Sequence, residues 1–132
     1  MVQAQLGYAA DGQGNGVAYA RLTSRAGARL VRVAFRVERY AGLDGREVGY
    51  GALTAVAGML AERGVDGVAF YIPSDDLVAD RRQHRQVPPP IVLPYVRLGC
   101  VLNRFKHHDV RSGEDPDLTQ RALAEVTLRT AA

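Results

Sequence analysis

The chain has 132 residues, 47% hydrophobic and 23% charged, the balance of an ordinary globular domain, and one domain over residues 1–132 is expected. About two-thirds of the unfolded surface can be buried at this length without staples, and the lone Cys100 can form neither an internal disulfide nor, by itself, a thiolate zinc site. The formal charge of +3 is uneven: Arg81, Arg82, Arg85, Arg97, Arg104, Lys106 and Arg111 face only Asp109 within residues 81–111, while the flanking stretches are slightly acidic.

The N-terminal stretch lacks a basic segment followed by an apolar run, and nothing approaches the roughly 18 apolar residues of a membrane span. A reducing, cytoplasmic setting without membrane attachment is therefore expected. Gln3 to Ala10 is nearly continuous in apolar and small residues, which predicts a buried central strand, and Asp11-Gly12-Gln13-Gly14-Asn15-Gly16 predicts a turn. Val17, Tyr19 and Arg21 then alternate with Ala18, Ala20 and Leu22. After a turn expected at Ala26-Gly27, Val31, Val33, Phe35 and Val37 alternate with Leu30, Arg32, Ala34 and Arg36. Three consecutive antiparallel strands follow from this pattern.

The periodicity changes after Gly42-Leu43-Asp44-Gly45. Leu53, Val56, Ala57 and Leu60 have helical spacing, Gly64 predicts the helix end, and Val68 to Ile72 reads as a short buried parallel strand. Ser74-Asp75-Asp76 offers a cap for a short helix to about Gln83, and Pro88-Pro89-Pro90 predicts a break. A long helix is expected next, with Pro94 near its first turn, an apolar stripe of Tyr95, Leu98, Val101, Leu102 and Phe105, and Cys100 packed at the stripe's edge. His107 to Val110 reads as a last strand, followed by a helix from Asp117 with Leu118, Ala122, Leu123 and Val126 as its apolar face.

This order of elements is similar to the ribonuclease H-like fold, and several short segments carry the resemblance. Asp11-Gly12 followed by Gly14-Asn15-Gly16 resembles the family's first-strand Asp-Gly and glycine turn. Ala52-Leu53 with Gly58-Met59-Leu60 resembles its first helix. Ser74-Asp75-Asp76-Leu77-Val78 resembles its Ser-Asp-Ser-x-x-Val at the end of the fourth strand. Leu93-Pro94-Tyr95, and later Arg111 with Leu123-Ala124, resemble its closing segment. The resemblance implies an α/β fold: a mixed five-stranded sheet, three antiparallel strands then two parallel, flanked by helices.

The family's chemistry uses four acidic side chains that hold two Mg²⁺ or Mn²⁺ ions, which orient water and stabilise the leaving oxygen of a phosphodiester. The resemblance places Asp11 and Asp75 at two metal-ligand positions, but Gly49 stands at the helix glutamate and Arg121 at the last aspartate. It thus implies an impaired site, with a metal requirement only if the site works. Glu125, one turn beyond Arg121, is the candidate substitute carboxylate, whereas Glu47 should face away from Gly49. Asp11 has a second reading as a turn residue. Two unneutralised carboxylates at the Asp11 and Asp75 positions would repel each other, so removing one should be neutral or stabilising.

His107-His108-Asp109 does not suggest a metal site, because strand neighbours point to opposite faces. Arg81, Arg82 and Arg85 are the nucleic-acid-binding candidates, since the family often tracks a duplex backbone with a basic segment near here. The leading expectation is a ribonuclease H-related protein, impaired in catalysis, that binds nucleic-acid duplexes such as an RNA–DNA hybrid. The alternatives are an active divergent ribonuclease H using Asp11, Asp75 and Glu125, and a protein-assembly module.

Overall fold

The computed structural model describes residues 1–38, 45–83 and 86–131, the last two without their side chains. The elements run β1 (Val2–Ala10), β2 (Asn15–Ser24), β3 (Gly27–Arg36), α1 (Arg46–Glu62), β4 (Gly67–Ile72), α2 (Asp75–Gln83), α3 (Pro89–Leu102), β5 (His107–Ser112) and α4 (Pro116–Ala131). They form one five-stranded sheet in the order β3-β2-β1-β4-β5, with β1, β2 and β3 antiparallel and β1, β4 and β5 parallel. No helix among the described residues is long and apolar enough to cross a membrane.

Strand alternation divides the side chains between two layers. Ala4, Leu6, Ala18, Ala20, Val68 and Phe70 join Leu53, Val56 and Leu60 of α1 and Leu98 and Leu102 of α3 in the main core, with Tyr8, Val31, Val33 and Phe35 packed at its margin. On the opposite face, Val17 packs with Ala122 and Val126 of α4, and Ala9 and Tyr19 border them. The parity of a strand residue thus decides which helix it meets.

Local chemistry explains the element ends. At the end of α1, Val65 N–H donates to Leu60 O (3.2 Å) and Gly64 N–H to Ala61 O (3.1 Å), with Gly64 left-handed at φ +79°, so the last carbonyls are satisfied. Gly14 binds the β1–β2 turn to the end of β3. Its carbonyl accepts Val37 N–H at 2.8 Å, its φ is +87°, and a Cβ there would stand 2.2 Å from Val37 O.

Four expectations are corrected. The β2–β3 turn is Arg25-Ala26, because Ser24 pairs with Gly27 and Ser24 Oγ accepts Ala26 N–H at 3.2 Å. The proline run starts α3 instead of only breaking the chain: Pro88 caps it, Pro89 and Pro90 fill its first positions where N–H groups are dispensable, and Pro94 lies inside it. Cys100 is exposed, since α3 buries Ile91, Leu98 and Leu102 and turns Val92, Val96 and Cys100 outward. Leu123 is also exposed, because Leu118, Ala122 and Val126, four residues apart, complete the narrow stripe that α4 lays on the sheet.

Candidate functional site

Asp11 follows β1 and serves its own turn. Its Oδ1 accepts the N–H groups of Gln13 (2.8 Å) and Asn15 (3.0 Å), and its N–H donates to Asn15 O (2.9 Å). Those backbone bonds, from Asn15 first and Gln13 second, hold the carboxyl below the usual aspartate range, and the Arg129 charge on α4 adds to the effect. Asp75 lies in the first turn of α2, where its Oδ1 accepts the Ser112 hydroxyl at 2.8 Å.

Glu125 sits on α4 and reaches the outer face of β2 and β3. It accepts Tyr19 O–H at 2.6 Å and Arg32 Nε–H at 2.7 Å, with Arg129 Nη2 at 3.5 Å. The Arg32 hydrogen bond is the main cause holding this carboxyl at about 2, with Tyr19 contributing after it and partial burial opposing both. Arg121 lies 5.6 Å from the centre of the Tyr19 ring, also on the α4 layer. Asp11 and Glu125 therefore share the influence of Arg129, while Asp75 turns to the end of β5.

The surroundings of Gly49 are different in kind. A Cβ on Gly49 would stand 2.8 Å from Tyr8 Oη and 3.4 Å from Leu77 Cδ1, so β1 presents a phenol there. Ser74, whose Oγ accepts Leu77 N–H at 3.3 Å as the cap of α2, also acts on the Tyr8 hydroxyl. Burial pushes the Tyr8 phenol up to about 12, and Ser74 offsets only part of that rise. Tyr8 and Ser74 were not candidates by residue type. Strand parity was the available signal, since Tyr8 shares the main-core face with Leu6, while Ala9 borders the α4 cluster.

The basic segment is partly engaged within the protein. The Arg81 guanidinium lies 4.6 Å from the centre of the Tyr95 ring, and its Nη1 donates to Tyr95 O at 3.4 Å. Arg82 Nε donates to Val110 O at 3.1 Å, and its Nη2 donates to Asp109 Oδ1 at 3.3 Å. Arg111 Nε donates to Asp109 Oδ2 at 2.6 Å, so the one acidic residue of the segment joins α2 to β5. Arg85, with His84 beside it, lies outside the described residues. Arg97, Arg104 and Lys106 are exposed.

No family model matches this sequence, and a comparison with curated proteins finds no match. Solved structures do match along nearly the whole chain. RNase H1 from the halophilic archaeon Halobacterium salinarum NRC-1 aligns with a TM-score of 0.72 at 20% identity, covering 96% of each chain. The N-terminal RNase H domain of rv2228c from Mycobacterium tuberculosis aligns at 0.70 and 14%, covering 92% of this chain and 94% of that one. LC11-RNase H1, solved in complex with an RNA/DNA hybrid, aligns at 0.66 and 11% over 100% of both chains. The fold is ribonuclease H-like.

Within this ribonuclease H-like fold, the donor set does not fit a pair of hard divalent ions, which need several carboxylate oxygens converging on one point. Among the described residues no group of three or more His, Cys, Asp or Glu side chains is placed to hold a metal. Asp11 is bound by its turn, Asp75 by Ser112 and Glu125 by Arg32 and Tyr19, while Tyr8 and Ser74 stand by Gly49. At Gly49 the described neighbours are the Tyr8 phenol and Leu77, with Ser74 capping α2.

Proposed function

We propose that this chain is a ribonuclease H-related protein that keeps the fold without two-metal catalysis and engages nucleic-acid duplexes, RNA–DNA hybrids among them, through residues 81–111. The observation that carries the first half is the contact at Gly49. A helix position that the family resemblance assigns to a metal-binding glutamate faces a partly buried phenol on which Ser74 also acts. A neutral pair of hydroxyls cannot offset the charge of two divalent cations. The reading therefore needs no migrated ligand, and Asp11, Asp75 and Glu125 act as turn, helix-end and ion-pair residues.

The second half rests on the concentration of positive charge and on which cations remain outward. Arg81 and Arg82 each spend part of their guanidinium on the protein, whereas Arg104 and Lys106 project from the α3–β5 connection. Guanidinium and ammonium groups on phosphates fix position without reading sequence. Fluorescence anisotropy with a labelled RNA–DNA hybrid over a salt series tests this. Binding should be indifferent to sequence and fall steeply with salt, and Arg104→Ala with Lys106→Ala should flatten the log–log slope by about two units if both neutralise phosphates. Arg81→Ala, Arg82→Ala and Arg85→Ala together should weaken binding further, with some loss of stability from the Arg82–Asp109 link. Absence of binding at low salt would overturn the duplex reading and leave the protein-assembly alternative.

A further inference from the structure

A cleft of about 670 Å³ opens between the end of β3, α1 and the first half of α3, within the size range of small-molecule sites. Its apolar walls are Phe35, Val37, Tyr50, Ala55, Leu93 and Pro94. Gly51 forms the floor. A Cβ there would stand 2.4 Å from Val37 Cγ1 and 3.0 Å from Phe35 Cδ2, so the absence of a side chain brings β3 directly onto α1.

One polar group in this cleft is unmatched. Among the described residues, Glu47 Oε2 is buried and has no hydrogen-bond partner. The cation next to it in sequence is turned elsewhere, as Arg46 pairs with Asp80 at 3.3 Å and Asp76 at 3.7 Å. Arg36 lines the cleft but donates to Asn15 Oδ1 at 3.1 Å, and Arg97 lies exposed at the rim. A buried acceptor without a donor is a costly state that folded proteins rarely keep, and a ligand with an N–H group would relieve it. α1 thus presents Gly49 to Tyr8 and Glu47 to a separate, largely apolar cavity.

We propose that this cleft binds a small molecule with a flat apolar body and a cationic nitrogen, the nitrogen donating to the Glu47 carboxylate as it turns toward the cleft and the body lying against Phe35, Leu93 and Pro94. The site is separate from the Gly49 locus.

Benzamidine, benzamide and benzoate share one ring and differ in charge, so they separate the contribution of the carboxylate from that of the apolar walls. In NMR titrations of the full chain, benzamidine should bind saturably and shift the amide signals of Gly51, Thr54 and Leu93. It should bind at least about tenfold more tightly than benzoate, as a charge-assisted hydrogen bond requires. Glu47→Gln should remove that preference, and Ala55→Phe should block all binding while the melting transition persists. Equal binding of the three probes, tighter binding of benzoate, or no saturation by benzamidine up to about 10 mM would overturn the proposal. The comparison among probes on the unaltered protein decides the matter even if Glu47→Gln fails to fold.

Discussion

The Tyr8 phenol oxygen lies 2.8 Å from the point where a side chain on Gly49 would begin. Any side chain at position 49 therefore requires the Tyr8 hydroxyl to shift. Ser74, the cap of α2, also acts on the Tyr8 phenol.

Gly49→Ala tests that packing. Alanine gains about 1 kcal/mol of helix propensity over glycine, but overpacking against a part-buried ring costs about 1–3 kcal/mol. The expected result is a net loss of about 1 kcal/mol in the unaltered protein and a near-neutral effect in Tyr8→Phe, where the hydroxyl is gone. Urea unfolding of the four proteins of this cycle measures the coupling. Additivity of the two changes would show that the phenol and position 49 do not compete for space.

Glu125 provides a pH signature. Its folded-state carboxyl is held at about 2, well below the ordinary glutamate value of 4.5, first by the Arg32 hydrogen bond. A depressed carboxyl contributes stability that is fully present above its unfolded value and is lost as pH falls through the folded one. Stability should therefore decline between about pH 5 and pH 2. Because Arg32 is nearly half exposed, Glu125→Gln should cost only about 1 kcal/mol near neutral pH, and the two unfolding curves should converge toward pH 2. A constant difference across that range would mean the ion pair contributes nothing specific.

Asp75→Asn reverses an expectation drawn from the sequence. Mutual repulsion with Asp11 would make this change neutral or stabilising, but Asp11 is held by the N–H groups of its own turn, and Asp75 accepts the Ser112 hydroxyl in the first turn of α2. An anion there is favoured by the helix dipole, so the amide should cost about 0.5–1 kcal/mol. A raised melting temperature in Asp75→Asn would restore the repulsion argument.

What the sequence made legible was governed by periodicity. Alternation in Val31 to Val37 and the helical spacing of Leu53 to Leu60 sufficed for the strand and helix order, and the continuous apolar run Val68 to Ile72 marked a central parallel strand. The site was legible only in part, because residue type drew attention to acids while strand parity decided which side chains meet α1. Asp11 lies just past the strand and belongs to its turn, two residues beyond Ala9 on the α4 face; Tyr8, with neutral chemistry, holds the decisive place. Spacing carried a further hint. The family pattern Ser-Asp-Ser-x-x-Val has one more residue before its valine than Ser74 to Val78, so anchoring on Val78 puts Ser74 at the aspartate position. The α3 boundary was missed for another reason: prolines break helices in their interior but suit the first turn, and only the packed structure shows which applies.

The central claim is that the fold persists without two-metal catalysis, and incubation of a labelled RNA–DNA hybrid with purified protein in millimolar Mg²⁺, then Mn²⁺, tests it most directly. The account expects intact hybrid at the background rate with either ion, and no difference between the unaltered protein and Asp75→Asn. Metal-dependent cleavage that disappears in Asp75→Asn, or in Glu125→Gln with Mn²⁺ alone, would contradict it and establish a working divergent nuclease.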